Sequence, residues 1–281
     1  MLPAPRVAFQ GEFGAFSEEA VRRACGPDVE AVPLRTLRDV FDAVRGGDAR
    51  FGVIPVENSR AGIIPESYDL LLEHPLWVRA EATVPVAQCL LAPPATSVHE
   101  LRRVYSHPQA LAQCETYLRR LRLEAIAVYD TAGSARQLAA EREPGAAAIA
   151  SRRAAELYGL EVLAEAIQDD RDNTTRFYVI GREPAPAAEA GRPHRTVVVL
   201  AMDADDTPGA LYWSLGTLAF WRINLLKIES RPSRRRPWHY DFYLELAARL
   251  EDAPVRSALD ELRARGANLR VLGSFPRASA D

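Results

Sequence analysis

The order of apolar and polar positions in the N-terminal part of the chain predicts alternating strands and helices. The apolar runs Arg6–Gln10 and Phe51–Val56 have the length of buried strands. Helical signals lie between them: Ser17–Ala24 has an acidic first turn, and Leu37–Val44 ends at a pair of glycines. This alternation predicts an α/β fold with parallel sheets that are covered on both faces. Further predicted elements are the strands Arg103–Tyr105, Ala125–Tyr129 and Ala146–Ala150 and helices over 108–121 and 133–142.

The C-terminal part follows a different order, and a linker separates it from the first. Residues 182–194 contain three prolines and no large apolar residue, so they cannot form a core, and we predict a linker there. We therefore expect a domain over 1–183, a linker over 184–194 and a second domain over 195–281. The order of elements in the last domain is βαββαβ, which is the ferredoxin-like arrangement. Its predicted elements are Thr196–Met202, Gly209–Phe220, Ile223–Ser230, His239–Leu246, Val255–Arg265 and Leu269–Phe275.

Composition and charge exclude several classes of protein. The formal net charge of −3 gives no global basic field for nucleic acid or for an anionic membrane surface. The three cysteines lie far apart without a CxxC pair, and the five histidines lack the spacing of metal ligands, so we expect neither a disulfide framework nor a metal site. The sequence shows neither a signal-peptide pattern nor an apolar run of the length that spans a membrane. We expect a cytoplasmic protein.

Three segments that lead into predicted helices could bind an anion. Gly11–Ser17, Ser106–Gln109 and Asp130–Ser134 each leave unpaired backbone N–H groups at the positive end of a helix, where a carboxylate can bind. In parallel α/β sheets these ends share the edge where ligands collect, so together they would suit a small dianion. Ordinary helix capping explains the same residues, and a loop with two glycines is weak evidence by itself.

Two polar segments are candidates for chemistry. Val56–Ser59 ends a predicted buried strand, and Asp169–Phe177 places hydroxyl groups beside a guanidinium. Such a pair can stabilise a departing oxygen or orient a carboxylate. The alternatives are a turn and a solvated, charge-rich loop. In the C-terminal domain, Thr207–Leu211 and Ile228–Pro232 could approach a ligand or could be ordinary connections.

Taken together, these segments resemble the prephenate dehydratases. The resemblance rests on RVAFQGEFGAFSEEA, GVIPVENSRAGIIPESYDLLL, VYSHPQALAQCETYL, DTAGSARQLAA and the stretch that ends in DDRDNTTRF, which occur in the family's order over nearly the whole chain. It implies a catalytic region of two α/β lobes around a cleft, similar to type 2 periplasmic binding proteins. It also implies a C-terminal ACT domain that senses phenylalanine, and a reaction that needs no cofactor.

The resemblance also implies roles for individual residues. Thr175 matches the family's essential threonine and Arg176 follows it, so we expect both to be catalytic. Ala15 departs from the threonine or serine of many members, and the spelling around it is similar to plant arogenate dehydratases. The residues expected to bind substrate are Ser17, Asn58, Gln109, Thr131 and Ser134. Those expected to bind phenylalanine between two subunits of a homodimer or homotetramer are Gly209, Ala210, Leu211, Asn224, Glu229 and Ser230.

Three functions remain open. The main hypothesis is that prephenate is converted to phenylpyruvate under regulation by phenylalanine. The first alternative is that arogenate is the substrate, which gives phenylalanine directly. The second is a non-catalytic, amino-acid-responsive binding module, although such a sensor would not need Thr175, Asn58 and Gln109. We expect no fused chorismate mutase, because the chain begins at the first predicted dehydratase strand.

Overall fold

The computed structural model describes residues 4–186, 192–202, 208–233 and 237–278. The chain divides into two compact units, one formed by residues 1–74 and 81–179 and the other by 75–80 and 180–281. The fold is mixed α/β, which confirms the predicted class. No helix among the described residues has the length and apolar character needed to cross a membrane.

The first lobe of unit 1 is built on a sheet with the strand order β2-β1-β3-β11-β5, and a short β4 pairs with β3. The inner strand β1 runs parallel to both β2 and β3. Strands β5 and β11 also continue into unit 2, since they cross the unit boundaries. The elements are β1 (Arg6–Gln10), α1 (Phe16–Cys25), β2 (Glu30–Leu34), α2 (Leu37–Gly46), β3 (Phe51–Asn58), β4 (Gly62–Ile63), α3 (Pro65–Glu73), β5 (Trp77–Pro85) and β11 (Thr174–Gly181).

The second lobe has its own sheet, in the order β10-β6-β9-β7-β8. Every residue of the central strand Ala146–Ala150 is buried, and its alternate side chains belong to two apolar clusters on opposite faces. Small alanines let helices pack closely against both faces. The elements are β6 (Cys89–Ala92), the 3-10 turn Val98–Glu100, β7 (Arg103–Ser106), α4 (Pro108–Gln113), α5 (Glu115–Leu121), β8 (Glu124–Ala127), α6 (Thr131–Glu141), β9 (Ala146–Ala150), α7 (Arg152–Tyr158) and β10 (Glu161–Ala164).

Two predictions for the second lobe are corrected. Its sheet is not purely parallel, because β6 runs antiparallel to β9 and β10 runs antiparallel to β6. Strand β6 enters from β5 of the first lobe without a crossover helix, so the rule that makes βαβ strands parallel does not apply to it. The helix predicted over 108–121 is two helices, α4 and α5, which meet at the fully buried Cys114.

Unit 2 contains the predicted βαββαβ order. Its sheet has the order β13-β14-β12-β15 with antiparallel neighbours, and the apolar cluster around Val198, Leu244 and Leu259 packs α8 and α9 on one face. The described linker residues 182–186 form neither helix nor strand, while 187–191 lie outside the described part. The elements are β12 (His194–Met202), α8 (Ala210–Phe220), β13 (Leu225–Pro232), β14 (Tyr240–Leu246), α9 (Ala253–Ala264) and β15 (Ala267–Pro276).

Candidate active site

Two adjoining cavities in unit 1 are walled by residues of both lobes. The first, called here the Thr175 cavity, has a volume of about 420 Å³. The second, called the Ser17 cavity, has a volume of about 450 Å³. Of the predicted substrate-binding residues, Asn58, Gln109 and Thr131 line the first cavity, and Ser17 and Thr131 line the second. The residues common to both cavities are Gln10, Phe16, His107 and Thr131.

Asn58 fixes the end of β3 against the start of β11. Its side-chain oxygen accepts hydrogen bonds from the backbone N–H groups of Arg60 (3.0 Å) and Ala61 (2.9 Å). Its amide nitrogen lies 2.7 Å from the side-chain oxygen of Asn173 and 3.0 Å from Oγ1 of Thr175. Because Thr175 Oγ1 accepts from this amide, its own hydroxyl proton is available for a second acceptor. The buried Asn58 therefore holds the Thr175 hydroxyl as a donor at the cavity wall.

Thr175 and Arg176 point in different directions, because successive residues of a strand face opposite sides of the sheet. Thr175 lines its cavity, whereas Arg176 does not belong to the lining of either cavity. The Arg176 guanidinium lies 2.6 Å from the carboxylate of Glu57 and 3.6 Å from that of Glu81, and its centre is 5.5 Å from the ring of Tyr178. The structure thus places the predicted catalytic arginine in an ion-pair cluster on the other face.

The Ser17 cavity is formed where the β1–α1 loop meets the second lobe. Ser17 lies in the first turn of α1, where the helix offers backbone N–H groups, and Thr131 is the first residue of α6, which contributes its hydroxyl. His107 caps α4, and its Nδ1 accepts a hydrogen bond of 3.2 Å from the Gln109 N–H. That bond places the proton of a neutral His107 on Nε2. The cavity therefore offers several uncharged donors to an anion.

Asp130 is the one carboxylate among the described residues that line the Ser17 cavity. It caps α6 by accepting a hydrogen bond of 2.7 Å from the Gly133 N–H. Burial raises the pKa of Asp130 above its ordinary value, while that hydrogen bond, the charge of Arg136 and the charge of His107 in its protonated form oppose the shift. A cationic group on a ligand would compensate for the desolvation of this carboxylate.

The remaining predicted residues lie elsewhere. The Ser134 hydroxyl donates to the Thr131 carbonyl of its own helix (2.6 Å), and Ser134 is not part of either cavity lining. In unit 2, Gly209, Ala210 and Leu211 begin α8, and Glu229 and Ser230 lie in the second half of β13. Because α8 runs antiparallel to β12 and β13, these two groups lie at one end of the unit. Asn224 directly precedes β13 and so lies at the other end.

Several residues that line the cavities were not predicted as site residues. For two of them, the position within a strand or helix could have indicated the site. Gln10 is the last residue of a parallel strand, and such ends form the ligand edge of α/β sheets. Gln113 follows Gln109 by one helical turn and so faces the same cavity. Gln88 and Glu66 carry no such signal. The lining of both cavities, as far as the structure describes it, contains neither arginine nor lysine. No cluster with the makeup of a metal site occurs among the described residues.

Comparisons with known proteins agree on one family. The family model for prephenate dehydratase matches residues 7–185. Arogenate dehydratase/prephenate dehydratase 2 of Arabidopsis thaliana, a chloroplastic protein, is 44% identical over 96% of this chain and 72% of its own length. The prephenate dehydratase of Arthrobacter aurescens, solved in complex with L-Phe, is 32% identical with a TM-score of 0.88 over 97% of this chain and 90% of that one. A structure described as the quorum-quenching acylase GqqA is 33% identical with a TM-score of 0.87, over 97% of this chain and 98% of that one.

Proposed function

The chain belongs to the prephenate dehydratase family, whose members are lyases, and we propose that it converts prephenate to phenylpyruvate for phenylalanine biosynthesis. In this reaction the bond from the ring to its carboxylate breaks, and that electron pair enters the ring as the C–O bond to the ring hydroxyl breaks. The departing oxygen takes up one proton, so the products are phenylpyruvate, carbon dioxide and water. Aromatisation of the ring drives the reaction, and the ring oxygen is the group that needs help to leave.

The observation that carries the proposal is the 3.0 Å contact between the Asn58 amide and Thr175 Oγ1 at the cavity wall. It orients the Thr175 hydroxyl as a donor to the departing oxygen and polarises it at the same time. A threonine hydroxyl is a weak acid at neutral pH, so its contribution is an oriented hydrogen bond, with the proton relayed through it rather than stored on it. The charge of Arg176 is paired with Glu57 of β3, so we propose that Arg176 does not contact the departing oxygen. It holds β11, and with it Thr175, in place against β3.

The two carboxylates of prephenate are bound without arginine or lysine in this proposal. Gln109 and Thr131 supply donors in the Thr175 cavity, and Ser17 supplies one in the Ser17 cavity. The N-terminus of α1 adds backbone N–H groups and the positive end of the helix dipole, whereas at α6 the Asp130 carboxylate accepts from Gly133 and Thr131. Neutral donors hold the side-chain carboxylate, which remains in phenylpyruvate. They leave the ring carboxylate free to depart as carbon dioxide. A guanidinium paired with that second carboxylate would stabilise the charge that has to be lost.

Arogenate is the second candidate substrate, and Asp130 is the observation that favours it. Arogenate carries an ammonium group where prephenate has a ketone. The partly desolvated Asp130 carboxylate in the Ser17 cavity would pair with that ammonium group. A ketone has no proton to donate to Asp130, so the two substrates would differ most at this residue.

Parallel incubation with prephenate and with arogenate tests the proposal. Phenylpyruvate and phenylalanine are measured as separate products, and the main proposal expects phenylpyruvate at the higher rate. Phenylalanine formed from arogenate at the higher rate would keep the mechanism and change the substrate. No product from either substrate would reject the dehydratase proposal. A binding module, or the acylase activity named for one structural relative, would then be the function to test.

We also propose that unit 2 is an ACT domain that binds phenylalanine between two subunits. The L-Phe complex of the Arthrobacter aurescens relative supports a phenylalanine site, and the ferredoxin-like order of unit 2 fits this domain. The first turn of α8 and the end of β13 would contact the effector, and Tyr212 and Trp213 leave an exposed aromatic surface on α8 for a second subunit. Asn224 lies at the opposite end of unit 2 from these residues. We therefore propose that the Asn224 that contacts phenylalanine comes from the second subunit.

Phenylalanine titration tests this regulatory proposal. Activity and oligomer size are measured on the same samples, and we expect both to respond to phenylalanine. If phenylalanine changed neither the activity nor the oligomer size, regulation through unit 2 would be rejected. A homodimer or homotetramer and a cytoplasmic location belong to the same proposal.

A further inference from the structure

The β1–α1 loop of the first lobe is held by the second lobe at four successive residues, the first of which is Glu12, paired with Arg136 at 3.1 Å. The Tyr158 hydroxyl donates to the Phe13 carbonyl at 2.7 Å, and Ser151 Oγ donates to the Gly14 carbonyl at 2.5 Å. Ala15 is buried in the apolar cluster of the second lobe, with Ala132, Ala135, Ala154 and Ala155. We call Phe13, Gly14 and Ala15, with Ser151, Ala154 and Tyr158 on the facing side, the loop clamp.

Gly14 shows how closely the two sides of the loop clamp approach. It has φ = +89°, and a Cβ added to it would lie 2.8 Å from Cα of Ala154. Its N–H donates to the carboxylate of the buried Glu18 at 2.6 Å. Both backbone polar groups of Gly14 are therefore satisfied, one within the first lobe and one by the second. Only glycine meets the conformational and the steric requirement together.

The loop clamp ends two residues before Ser17, which lines the Ser17 cavity. The opposite wall of that cavity is formed by His107, Asp130 and Thr131 of the second lobe. The clamp therefore sets the distance between Ser17 and this wall before any ligand is bound. A cleft between two lobes that is fastened in this way beside the site is preorganised, and binding does not have to supply the free energy of closure.

We propose that Tyr158 and Ser151 are positioning residues that fix Ser17 against the second lobe for substrate binding. The proposal rests on the function proposed above, because it concerns the substrate of the same cavity. Ser17 would contact a carboxylate that is unchanged during the reaction. Loss of the clamp should therefore weaken the binding of the substrate and of the transition state by the same amount. KM should then rise while kcat stays nearly unchanged.

Tyr158→Phe is the cleanest test, because it removes only the hydroxyl that reaches Phe13. We expect KM to rise by about three- to tenfold, the change that follows from losing one hydrogen bond that orders a loop. Tyr105→Phe is the matched control, since the Tyr105 hydroxyl donates to Glu143 at 2.8 Å in the same lobe and lines neither cavity. The control should keep the KM of the unmodified protein.

Hydrogen exchange gives a second readout that needs no substrate. Backbone amides of residues 12–17 should exchange faster in Tyr158→Phe than in Tyr105→Phe, while the rest of unit 1 exchanges alike in both. Equal exchange in the loop, or equal KM values for the two variants, would overturn the proposal. An unmodified protein that is inactive with both substrates would reject the proposed function instead, and the exchange experiment would still report on the clamp.

Gly14→Ala extends the test to the steric contact. The added methyl group meets the backbone of Ala154 and forces alanine into a positive φ, so we expect a larger rise in KM than for Tyr158→Phe. An unchanged KM in a folded Gly14→Ala protein would show that the close approach is not needed to position Ser17.

Discussion

The two faces of the sheet at β3 and β11 use polar residues in opposite ways. On the cavity face, Asn58 and Thr175 are uncharged and joined by a hydrogen bond, and the hydroxyl proton is left for a ligand. On the other face, the Arg176 guanidinium lies 2.6 Å from the Glu57 carboxylate and 3.6 Å from that of Glu81. In the function proposed above, charge on the other face holds the strands in place, whereas the uncharged Thr175 hydroxyl donates to the substrate.

The largest expected effect concerns the charged face. Arg176→Met would remove the cation that lies 2.6 Å from Glu57 and 3.6 Å from the Glu81 carboxylate, which is 4% exposed. Breaking such a buried pair costs about 3–5 kcal/mol, so we expect the free energy of unfolding in urea to fall by that amount. At temperatures where the variant is folded, its kcat should fall far less than that of a variant at Thr175.

Arg60→Met provides the control for this experiment. Arg60 pairs with Asp170 at 2.7 Å, but both side chains are more than 40% exposed. A pair of this kind contributes about 0–1 kcal/mol. Equal destabilisation of the two variants would mean that the charged face is not a buried cluster, and a kcat loss in Arg176→Met as large as that of Thr175→Ala would assign the guanidinium to catalysis.

The cavity face should show the opposite response. Thr175→Ala removes the oriented donor, so we expect kcat to fall by about 10²–10³-fold with little change in the free energy of unfolding. Thr174→Ala, one residue earlier in β11, is the matched control because Thr174 does not line the cavity. Thr175→Ser should recover part of the activity by restoring the hydroxyl. Full turnover in Thr175→Ala would contradict the assignment, and a double variant with Thr174→Ala would exclude substitution by the neighbouring hydroxyl.

The smallest expected effect concerns Asp130, whose carboxyl group lines the Ser17 cavity. Asp130→Asn keeps an oxygen to cap α6 but removes the charge, so the ratio of kcat/KM for arogenate to that for prephenate should fall by about tenfold. Asp39→Asn, in the capping box of α2, is the control.

The pH dependence of that ratio sharpens the test. Burial raises the pKa of Asp130, so this carboxyl remains protonated to a higher pH than usual and ionises above it. Only the ionised form pairs with an ammonium group, and the ratio in the unmodified protein should rise with pH. In Asp130→Asn the rise should be absent, although His107 and Arg136 are still present. An equal rise in both proteins would assign the effect to another group.

The strands and helices that could be predicted depend on local patterns, and the strand Ala146–Ala150 has the predicted limits. Other elements of unit 1 were not predicted, among them β2, α3, β5, α7 and β10. The break at Cys114 could not be predicted, since no glycine or proline marks it. Strand β6 was not predicted, and its direction depends on how the chain crosses between lobes rather than on the residues of the strand.

The candidate site divides in the same way. Asn58, Gln109, Ser17 and Thr131 could be assigned from motifs and from helix starts, and the structure places all four at the cavities. Ser134 shares the helix start with Thr131, yet its hydroxyl is used by its own helix. Gln88 and Asp130 could not be assigned to a cavity, because no local pattern distinguishes a lining side chain from a capping or buried one.

By itself, the sequence indicated the family, an alternation of strands and helices, and the threonine that we propose to be reactive. Only the tertiary structure decided that Asn58 and Thr175, separated by 117 positions, share a hydrogen bond, and that Arg176 faces away from the cavity. Strand periodicity predicts that neighbouring side chains face opposite sides, but it does not say which side holds the ligand. That choice depends on long-range packing, which also places the β1–α1 loop against α7 and closes the Ser17 cavity.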